Sequence, residues 1–314
     1  MNQHVSRRTA LAAVGGALLV PRAAFAQPRV TTITTAGLPE DSATPVLYGI
    51  GSGAFKRAGL EVTLQAQRSG PAVASGVAGG AYQIGKVSLN PLIDAHAKGI
   101  PFVIVAPGGL STAANPIAGL MVRVDSPIKT AADLNGKTIA VSTLRGELQV
   151  ASSMWIDKNG GDVKSVHFVE LPFAAMAAAL KSNRVDAAML TEPLLTTQKD
   201  DIEVLAKAYD AIADEFLIGG FVAATAWTQA NPDAARRFVA AMAETARWAN
   251  THHAQTADML GPRLKVDPAV VRTMVRATYG ERLNADTIQP VLDAAAKYGS
   301  LRSAMRASEL MAAA

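Results

Sequence analysis

Short strands rich in β-branched residues alternate with helices along this chain, and this alternation limits its possible folds more than any other feature. The first part of the chain has predicted strands over residues 30–34, 60–64, 82–87 and 102–106. Predicted helices follow them, beginning near Thr44, Ser69 and Pro91. Because each strand leads into a helix, the strands can pair in a parallel, doubly wound sheet with helices on both faces.

The same alternation restarts in the middle of the chain. The predicted strands of this second part cover residues 119–124, 137–141, 166–169, 185–189 and 219–226. Beyond residue 226 only helices are predicted, because Asn231-Pro232-Asp233 and Asp267-Pro268 each place a capping residue before a first-turn proline. The sequence therefore predicts two α/β units followed by a C-terminal helical extension.

Residues 1–26 have the three-part pattern of an export signal. Arg7 and Arg8 precede an apolar run over residues 9–20, and Ala24-Phe25-Ala26 matches a small-residue cleavage site. The apolar run is well short of the ~20 residues that a membrane-spanning helix needs. The arginine pair resembles a twin-arginine signal, although Ala10 leaves the general secretory route open. We therefore expect a cleaved signal and a periplasmic protein, without a lipid anchor because the chain has no cysteine.

The charge balance argues against nucleic acid as a partner. The chain has 30 lysines and arginines against 26 acidic residues, but Arg7, Arg8 and Arg22 lie in the predicted signal. Removing these three leaves 27 basic residues against 26 acidic ones, without a basic run that could follow a phosphate backbone. The lack of cysteine also excludes disulfides, thiolate nucleophiles and zinc–thiolate or iron–sulfur sites.

Motifs of nucleotide-binding and catalytic proteins are only partly matched. Residues 80–86 read G-x-x-x-x-G-K, but Val87 stands where a P-loop has the hydroxyl that binds magnesium, and the glycines flank a strand. Residues 126–129 have the S-x-x-K spacing found in β-lactamases and penicillin-binding proteins, but the K-T-G motif of those enzymes is missing from the sequence. The adjacent His252 and His253 would point about 100° apart on a helix, which does not suit a shared metal ion. We therefore expect neither catalysis nor a metal or cofactor.

Polar turns that join a strand to the next helix are the predicted ligand-binding features. In open α/β sheets, ligands lie beyond the carboxyl ends of the strands, where helix N-termini present free N–H groups. Such turns occur over residues 39–44, 67–70, 88–91 and 143–149. Together they could hold a small anion or carboxylate, although each one alone also fits ordinary helix capping.

Individual side chains near these turns have more than one interpretation. Arg145 could clamp a carboxylate or sulfonate with two hydrogen bonds, or it is a solvated surface residue whose charge the nearby Glu147 could cancel. Glu192 could accept a hydrogen bond from a ligand amine or hydroxyl, pair with Arg145, or cap the next turn. Phe173 and Trp227 could line an apolar part of a ligand, or belong to the core.

Five segments of the chain resemble one family of exported proteins. They follow the family's order and cover residues 53–62, 90–99, 128–141, 183–193 and 221–235. They resemble the solute-binding proteins of ABC importers, in the class that includes binding proteins for aliphatic sulfonates, nitrate, taurine and thiamine-pyrimidine precursors. The set of segments, rather than any single one, carries the resemblance.

The resemblance implies a type II periplasmic binding protein fold, in which two doubly wound α/β lobes joined by a hinge close over a ligand. Lobe one would comprise residues 28–124 plus 221–314, and lobe two residues 125–220, with crossings near residues 123–126 and 217–221. The matching ligand-binding positions would be Pro39, Asp41, Ser42, Thr44, Ser69, Gly70, Ser88, Leu89, Asn90, Thr143, Leu144, Arg145, Gly146 and Glu192, with Phe173 beside them. The closed monomer would deliver a small polar or anionic organic solute to a permease in the inner membrane.

Other functions stay open on the same fold. A thiamine-pyrimidine-synthase-like enzyme of similar fold would use a cysteine-rich motif, which this chain lacks. A ligand sensor would have the same cleft and a different docking surface, and tricarboxylate-type binding proteins share the architecture but resemble the five segments less. An exported hydrolase would need a Ser-His-Asp or metal set that the sequence does not supply.

Overall fold

The computed structural model describes Met1 and residues 30–299, 301 and 304–312, so residues 2–26 of the predicted export signal lie outside the described residues. The strands are β1 (Thr31–Gly37), β2 (Leu60–Ala66), β3 (Ile84–Ser88), β4 (Phe102–Pro107), β5 (Gly109–Thr112), β6 (Ala118–Arg123), β7 (Thr138–Val141), β8 (His167–Glu170), β9 (Ala187–Thr191), β10 (Ile202–Ala206), β11 (Glu215–Leu217), β12 (Gly219–Ala224) and β13 (Thr278–Tyr279). The helices are α1 (Thr44–Gly51), α2 (Ala54–Arg57), α3 (Gly70–Ala78), α4 (Leu89–Ala97), α5 (Glu147–Lys158), α6 (Phe173–Lys181), α7 (Leu194–Thr197), α8 (Thr225–Ala230), α9 (Pro232–Thr251), α10 (His253–Leu264), α11 (Pro268–Thr273) and α12 (Ala285–Tyr298). Among these helices, none combines the length and the apolar character needed to cross a bilayer.

Five strands form the first sheet, in the order β2-β1-β3-β12-β4. β1 pairs in parallel with β2 and with β3, whereas β12 lies antiparallel between β3 and β4. β1 to β4, the strands predicted to form a parallel sheet, therefore run in one direction, and β12, which was predicted as a strand of the second part, is inserted between β3 and β4. This strand comes back from the second unit through a short connection, and therefore enters the first sheet in the opposite direction.

The second sheet also has five strands, in the order β10-β6-β9-β7-β8. β7 is parallel to β8 and β9, while β6 is antiparallel to β9 and β10, so this sheet is mixed as well. β6 falls within the residues that sequence analysis assigned to lobe one. Strand pairing puts the first passage between the sheets before β6, within residues 113–117, and the division into two lobes stays a prediction.

A small third sheet lies where the chain passes between the two units. β5 pairs antiparallel with β11 and with the two-residue strand β13. The prediction that only helices follow residue 226 is therefore wrong. The Asn250 amide of α9 holds β13 in place, since its Oδ1 accepts from the Tyr279 N–H at 2.8 Å and its Nδ2 donates to the Tyr279 carbonyl at 2.9 Å. A two-residue strand held by a side chain leaves no periodic pattern in the sequence.

The C-terminal segment contacts both units. α12 packs beside α5 of the second unit, where the Lys297 ammonium lies 3.0 Å from the Asp157 carboxylate. Further along, Ile104 of β4 donates to the Leu310 carbonyl at 2.7 Å and accepts from the Ala312 N–H at 3.0 Å. The segment therefore runs from the second unit back to the edge of the first sheet.

The helix predicted to begin near Thr44 is two helices. α1 ends at Gly51, and the chain turns at Gly53, whose φ of 74° lies in the left-handed region that glycine adopts without strain. The turn lets Phe55 of α2 stack on Phe238 of α9, with ring centroids 5.4 Å apart. The broken helix thereby buries an aromatic side chain that a straight helix would aim elsewhere.

One of the clusters of buried apolar side chains spans both units. It contains Leu89 and Ile104 from the first unit together with Ile139 and Val141 from the second. Burial of this kind stabilises a fold by roughly 25 cal/mol for each Å² of apolar surface removed from water. The two units are therefore packed together near the first turns of α4 and α5, where two of the predicted ligand-binding turns lie.

Candidate functional site

Two of the predicted turns, one from each unit, meet in the structure. β3 ends at Ser88 and leads directly into α4, while β7 ends at Val141 and α5 begins at Glu147 after a polar turn. The Asn90 side chain, in the first turn of α4, donates from Nδ2 to the Arg145 carbonyl at 3.1 Å. This contact between the start of α4 and the start of α5 is called the junction below.

Ionisable side chains, three of them buried, gather beside the junction. Lys86 of β3 is 1% exposed and forms an ion pair with Glu40, which follows β1. Glu147, the first residue of α5, is 8% exposed. Tyr209 of the second unit is also buried and is the hydrogen-bond partner of Glu147. These four side chains, Lys86, Glu40, Glu147 and Tyr209, are called the junction cluster.

Burial decides the ionisation of the junction cluster. Desolvation raises the pKa of Glu147 from 4.5 to about 8, while the hydrogen bond from Tyr209 and the positive charge of Lys86 act in the opposite direction. The negative charge of Glu40 raises this pKa further. Burial, together with the neighbouring Glu147, also raises the pKa of Tyr209 well above its ordinary value. Near neutral pH, the cluster therefore contains one ion pair and a carboxyl group that is mostly protonated.

Two buried acceptor atoms at the junction have no hydrogen-bond partner within the part of the chain that the structure describes. They are Oε1 of Glu147 and Oδ1 of Asn90. The orientation of the Asn90 amide is fixed because its Nδ2 donates to the Arg145 carbonyl. A buried polar group without a partner costs about 1–3 kcal/mol, and such groups are rare in folded proteins. These two atoms mark a place where a bound molecule could supply the missing donors.

Asp41, a predicted ligand-binding residue, lies in a buried network with the C-terminal extension. Its carboxylate accepts from Nε of Arg276 at 2.8 Å, from the Tyr279 hydroxyl at 2.8 Å and from the Ala277 N–H at 2.7 Å. The buried Thr44 hydroxyl donates to the same carboxylate at 3.2 Å. The network ties the turn after β1 to residues more than 230 positions later in the chain.

Glu192 holds a helix start and a neighbouring loop. Its carboxylate accepts from the N–H of Thr196 at 3.1 Å, from the Thr196 hydroxyl at 3.0 Å and from the Val275 N–H at 3.2 Å. These contacts match the helix-capping interpretation, and its partners here are Thr196 and Val275 rather than Arg145. Phe173 and Trp227 are half-buried and pack against the cores of the second and first unit, respectively.

The other predicted residues of the first unit lie in or beside the turns that follow β1, β2 and β3. Ser69 caps α3 by accepting from the Ala72 N–H at 3.3 Å. A Cβ added at Gly70 would lie 3.3 Å from the Pro91 ring, so the starts of α3 and α4 are close neighbours. Ser88 is half-buried, whereas Leu89 and Ser42 are buried. Pro39 is exposed beside a shallow recess that Leu38, Glu40, Leu47 and Arg263 also line.

The turn before α5 forms the rim of the junction. Thr143, Leu144 and Arg145 are exposed, and Gly146 is the half-buried residue that precedes the helix. Arg145 has a left-handed φ of 60°, and its N–H donates to Oε1 of Gln149 at 2.7 Å. An exposed guanidinium at this rim is free to approach a ligand that enters from solvent.

Most of the junction cluster could not be identified from the sequence. Lys86 entered only as part of a rejected P-loop match, Glu147 only as a charge near Arg145, and Glu40 and Tyr209 not at all. One signal was present, because Lys86 interrupts an otherwise apolar strand. The contacts of Tyr209 depend on tertiary packing and leave no pattern in the sequence.

The junction is arranged for binding. It offers two acceptor atoms without partners, a buried ion pair and an exposed guanidinium. Among the described residues, no three histidine, aspartate or glutamate side chains lie together as metal ligands would. The Asp41 and Glu192 carboxylates instead accept from backbone N–H groups of the C-terminal extension, those of Ala277 and Val275 respectively.

Comparison with sequence families gives one family and several relatives. A model of the family described as NMT1/THI5 like matches residues 41–256. A curated Brucella abortus protein, named as a candidate binding protein, is 24% identical over 241 residues that cover 75% of this chain and 72% of that protein. A Brachyspira hyodysenteriae protein, named as a candidate periplasmic binding protein of an ABC transporter, is 27% identical over 173 residues that cover 52% of this chain and 49% of that protein.

Solved structures share the architecture. The periplasmic aliphatic sulphonate binding protein SsuA from Escherichia coli has a TM-score of 0.75 at 17% identity, covering 90% of this chain and 92% of that chain. The periplasmic nitrate-binding protein NrtA from Synechocystis PCC 6803 has a TM-score of 0.65 at 17% identity, covering 79% of this chain and 70% of that chain. These similarities confirm the predicted periplasmic binding protein fold.

Proposed function

The chain belongs to the NMT1/THI5-like family, and from that premise we propose that it is the exported solute-binding component of an ABC importer. The observation that carries this proposal is the contact of Asn90 with Arg145, which joins two α/β units over buried polar groups. A solute that touches both units favours the closed arrangement, because its contacts are complete only there. Closure then serves as the signal that a solute has been captured.

The proposed binding site is the junction, between a first lobe built on the first sheet and a second lobe built on the second sheet. Asn90 would contact the solute from the first lobe, and Glu147 from the second. Arg145 would meet a polar or acidic part of the solute at the rim. Asp41 and Glu192 would act indirectly, by holding the turns in position.

The proposed setting is the periplasm, after removal of residues 1–26. A closed monomer would dock on a permease in the inner membrane, and the names of the similar proteins support such a partner. The protein would be a carrier and not an enzyme. A thiamine-pyrimidine-synthase-like enzyme and a ligand sensor are the alternatives. A carrier returns its solute unchanged after incubation, which an enzyme does not.

The test is thermal unfolding of the purified protein with a panel of aliphatic sulfonates, nitrate, amines, amidines, pyrimidines and aromatic carboxylates. A solute at about 100 times its Kd adds roughly 2.7 kcal/mol to stability, which raises Tm by several degrees. Stabilisation by one chemical class would support a carrier. Lack of stabilisation by every compound would contradict the proposal.

Two arginine variants locate the binding site. Arg145→Ala is expected to weaken binding about 2- to 10-fold, as loss of a polar contact does. The matched control is Arg184→Ala, an exposed arginine of the same unit that lies next to Ser182 and away from the junction. Equal effects of the two substitutions would contradict a site at the junction.

A further inference from the structure

The start of α5 differs from an ordinary anion-binding helix end. Its twelve-residue helix presents free N–H groups and a partial positive charge, which by themselves would attract an anion. The first helical residue is nevertheless Glu147, a carboxyl group that is more than nine-tenths buried. An anion placed at this helix end would meet that carboxyl group at close range.

The positive charge nearest to Glu147 is already neutralised. Lys86 is paired with Glu40, so its ammonium does not leave a free charge for an incoming anion. Tyr209 contributes a neutral hydroxyl. Arg145 is a further cation at the junction, and its side chain is exposed at the rim. The groups facing the interior of the junction therefore favour a positive partner once Glu147 ionises.

The two buried atoms without a hydrogen-bond partner also favour a positive group that carries N–H donors. Oδ1 of Asn90 is an acceptor, and both oxygens of Glu147 are acceptors once its carboxyl group ionises, so these two atoms, one from each unit, then each need a donor. Sulfonate, nitrate and carboxylate groups present acceptors only, so they would leave Oδ1 of Asn90 unpaired and could pair with Glu147 only while its carboxyl group is protonated. A protonated amine or an amidinium presents several N–H donors and a positive charge.

We infer that the solute group reaching the junction is a nitrogen cation of the amine or amidinium class, bound by Glu147 and Asn90. This inference rests on the proposed carrier function and names its substrate class. The sequence predicted a small polar or anionic organic solute, and the inference replaces the anionic alternative with a cationic group. An acidic group elsewhere on the same solute would face Arg145 at the rim.

Matched probe compounds test the charge preference. Benzamidine, benzoate, benzenesulfonate and benzamide share one ring and differ in the polar group, and acetamidine, acetate and methanesulfonate form a smaller set. Calorimetric titration and thermal unfolding of the purified protein should detect the amidines and not their anionic counterparts. Binding by the anions alone would overturn the inference and leave the carrier function standing. Lack of binding by any compound would contradict both the charge preference and the carrier function.

Variants test whether Glu147 and Asn90 cause the preference for a nitrogen cation. Glu147→Gln keeps the size of the side chain and removes its charge, so amidine binding should fall about 10- to 100-fold. Asn90→Ala should lower it about 2- to 10-fold, as loss of a neutral hydrogen bond does. Glu61→Gln, at an exposed position on β2, is the control and should leave binding unchanged. Unchanged amidine binding by Glu147→Gln would refute the role of this carboxyl group.

The pH dependence of amidine affinity distinguishes a binding role of Glu147 from a purely structural one. Amidine affinity should rise about tenfold between pH 7 and pH 9 as Glu147 ionises, since an amidine stays charged over this range. Glu40, Lys86, Tyr209 and Arg145 are present in both proteins, so their contributions cancel. Glu147→Gln should therefore bind with a flat profile. An equal rise in both proteins would overturn the assignment to Glu147.

Discussion

Glu147→Gln is expected to stabilise the protein at alkaline pH and to remove much of the pH dependence of its unfolding. The ordinary pKa of this carboxyl group is 4.5, and burial raises it to about 8 in the folded protein. Between these values the folded state holds a proton that the unfolded chain has released. The folded state therefore loses about 1.4 kcal/mol of stability for each pH unit of increase. The loss is on the order of 3 kcal/mol near pH 7 and 5 kcal/mol above pH 8.

Urea unfolding of both proteins at whole pH values from 5 to 9 measures this effect. The stability of Glu147→Gln relative to the natural chain should rise by about 1.4 kcal/mol per pH unit between pH 5 and pH 8, and level off above pH 8. Glu61→Gln, at an exposed position, is the control and should show no such trend. A difference that stays constant from pH 5 to pH 9 would refute the argument that Glu147 is held protonated by burial.

Two further predictions concern the turns and the sheets. Arg276→Met should lower the free energy of unfolding by about 3–5 kcal/mol, because it leaves the Asp41 carboxylate without its buried partner, whereas the exposed Arg272→Met should cost less than about 1 kcal/mol. Chemical unfolding measures both, and equal losses would contradict the buried network. Gly219→Ala should destabilise by about 1–3 kcal/mol, because the new Cβ would lie 2.4 Å from a backbone carbonyl oxygen of β3. Gly51→Ala, a helical position with nothing within 4 Å of an added Cβ, should stabilise slightly, and a similar loss in both variants would refute the steric argument.

Strands and helices with strong local patterns could be predicted from the sequence. α3 and α4 begin within two residues of the starts predicted near Ser69 and Pro91, where a polar turn follows a strand. Strands that are short or exposed were missed, such as β10 and β13, since hydrophobic alternation needs several residues to be visible. Strand direction was also beyond sequence reasoning at β12, because it depends on how the chain returns from the second unit.

The candidate site was harder to predict from the sequence than the strands and helices were. The turns around Asn90 and Arg145 were predicted from strand ends, and the structure brings them into contact. The junction cluster was missed because its identity depends on burial and on the partners of each charge. Asp41 illustrates the reverse case, since its sequence position suggested a ligand, while packing supplies Arg276 as its partner.

Cationic and anionic solutes are expected to have opposite effects on the proton of Glu147: a cation releases it, and an anion leads to proton uptake. In the free protein Glu147 has a neutral phenol as its hydrogen-bond partner, and Lys86 is occupied by Glu40, so burial keeps the proton in place. A cation at Oε1 supplies the missing charge, lowers the pKa of Glu147 and releases a proton on binding. At pH 7 this release should approach one proton per bound amidine, because the free carboxyl group is mostly protonated there. An anion at the same place would raise the pKa and take up a fraction of a proton instead. Calorimetric titration in buffers of different ionisation enthalpy measures this balance, and proton uptake with an amidine would rule out Glu147 as its partner.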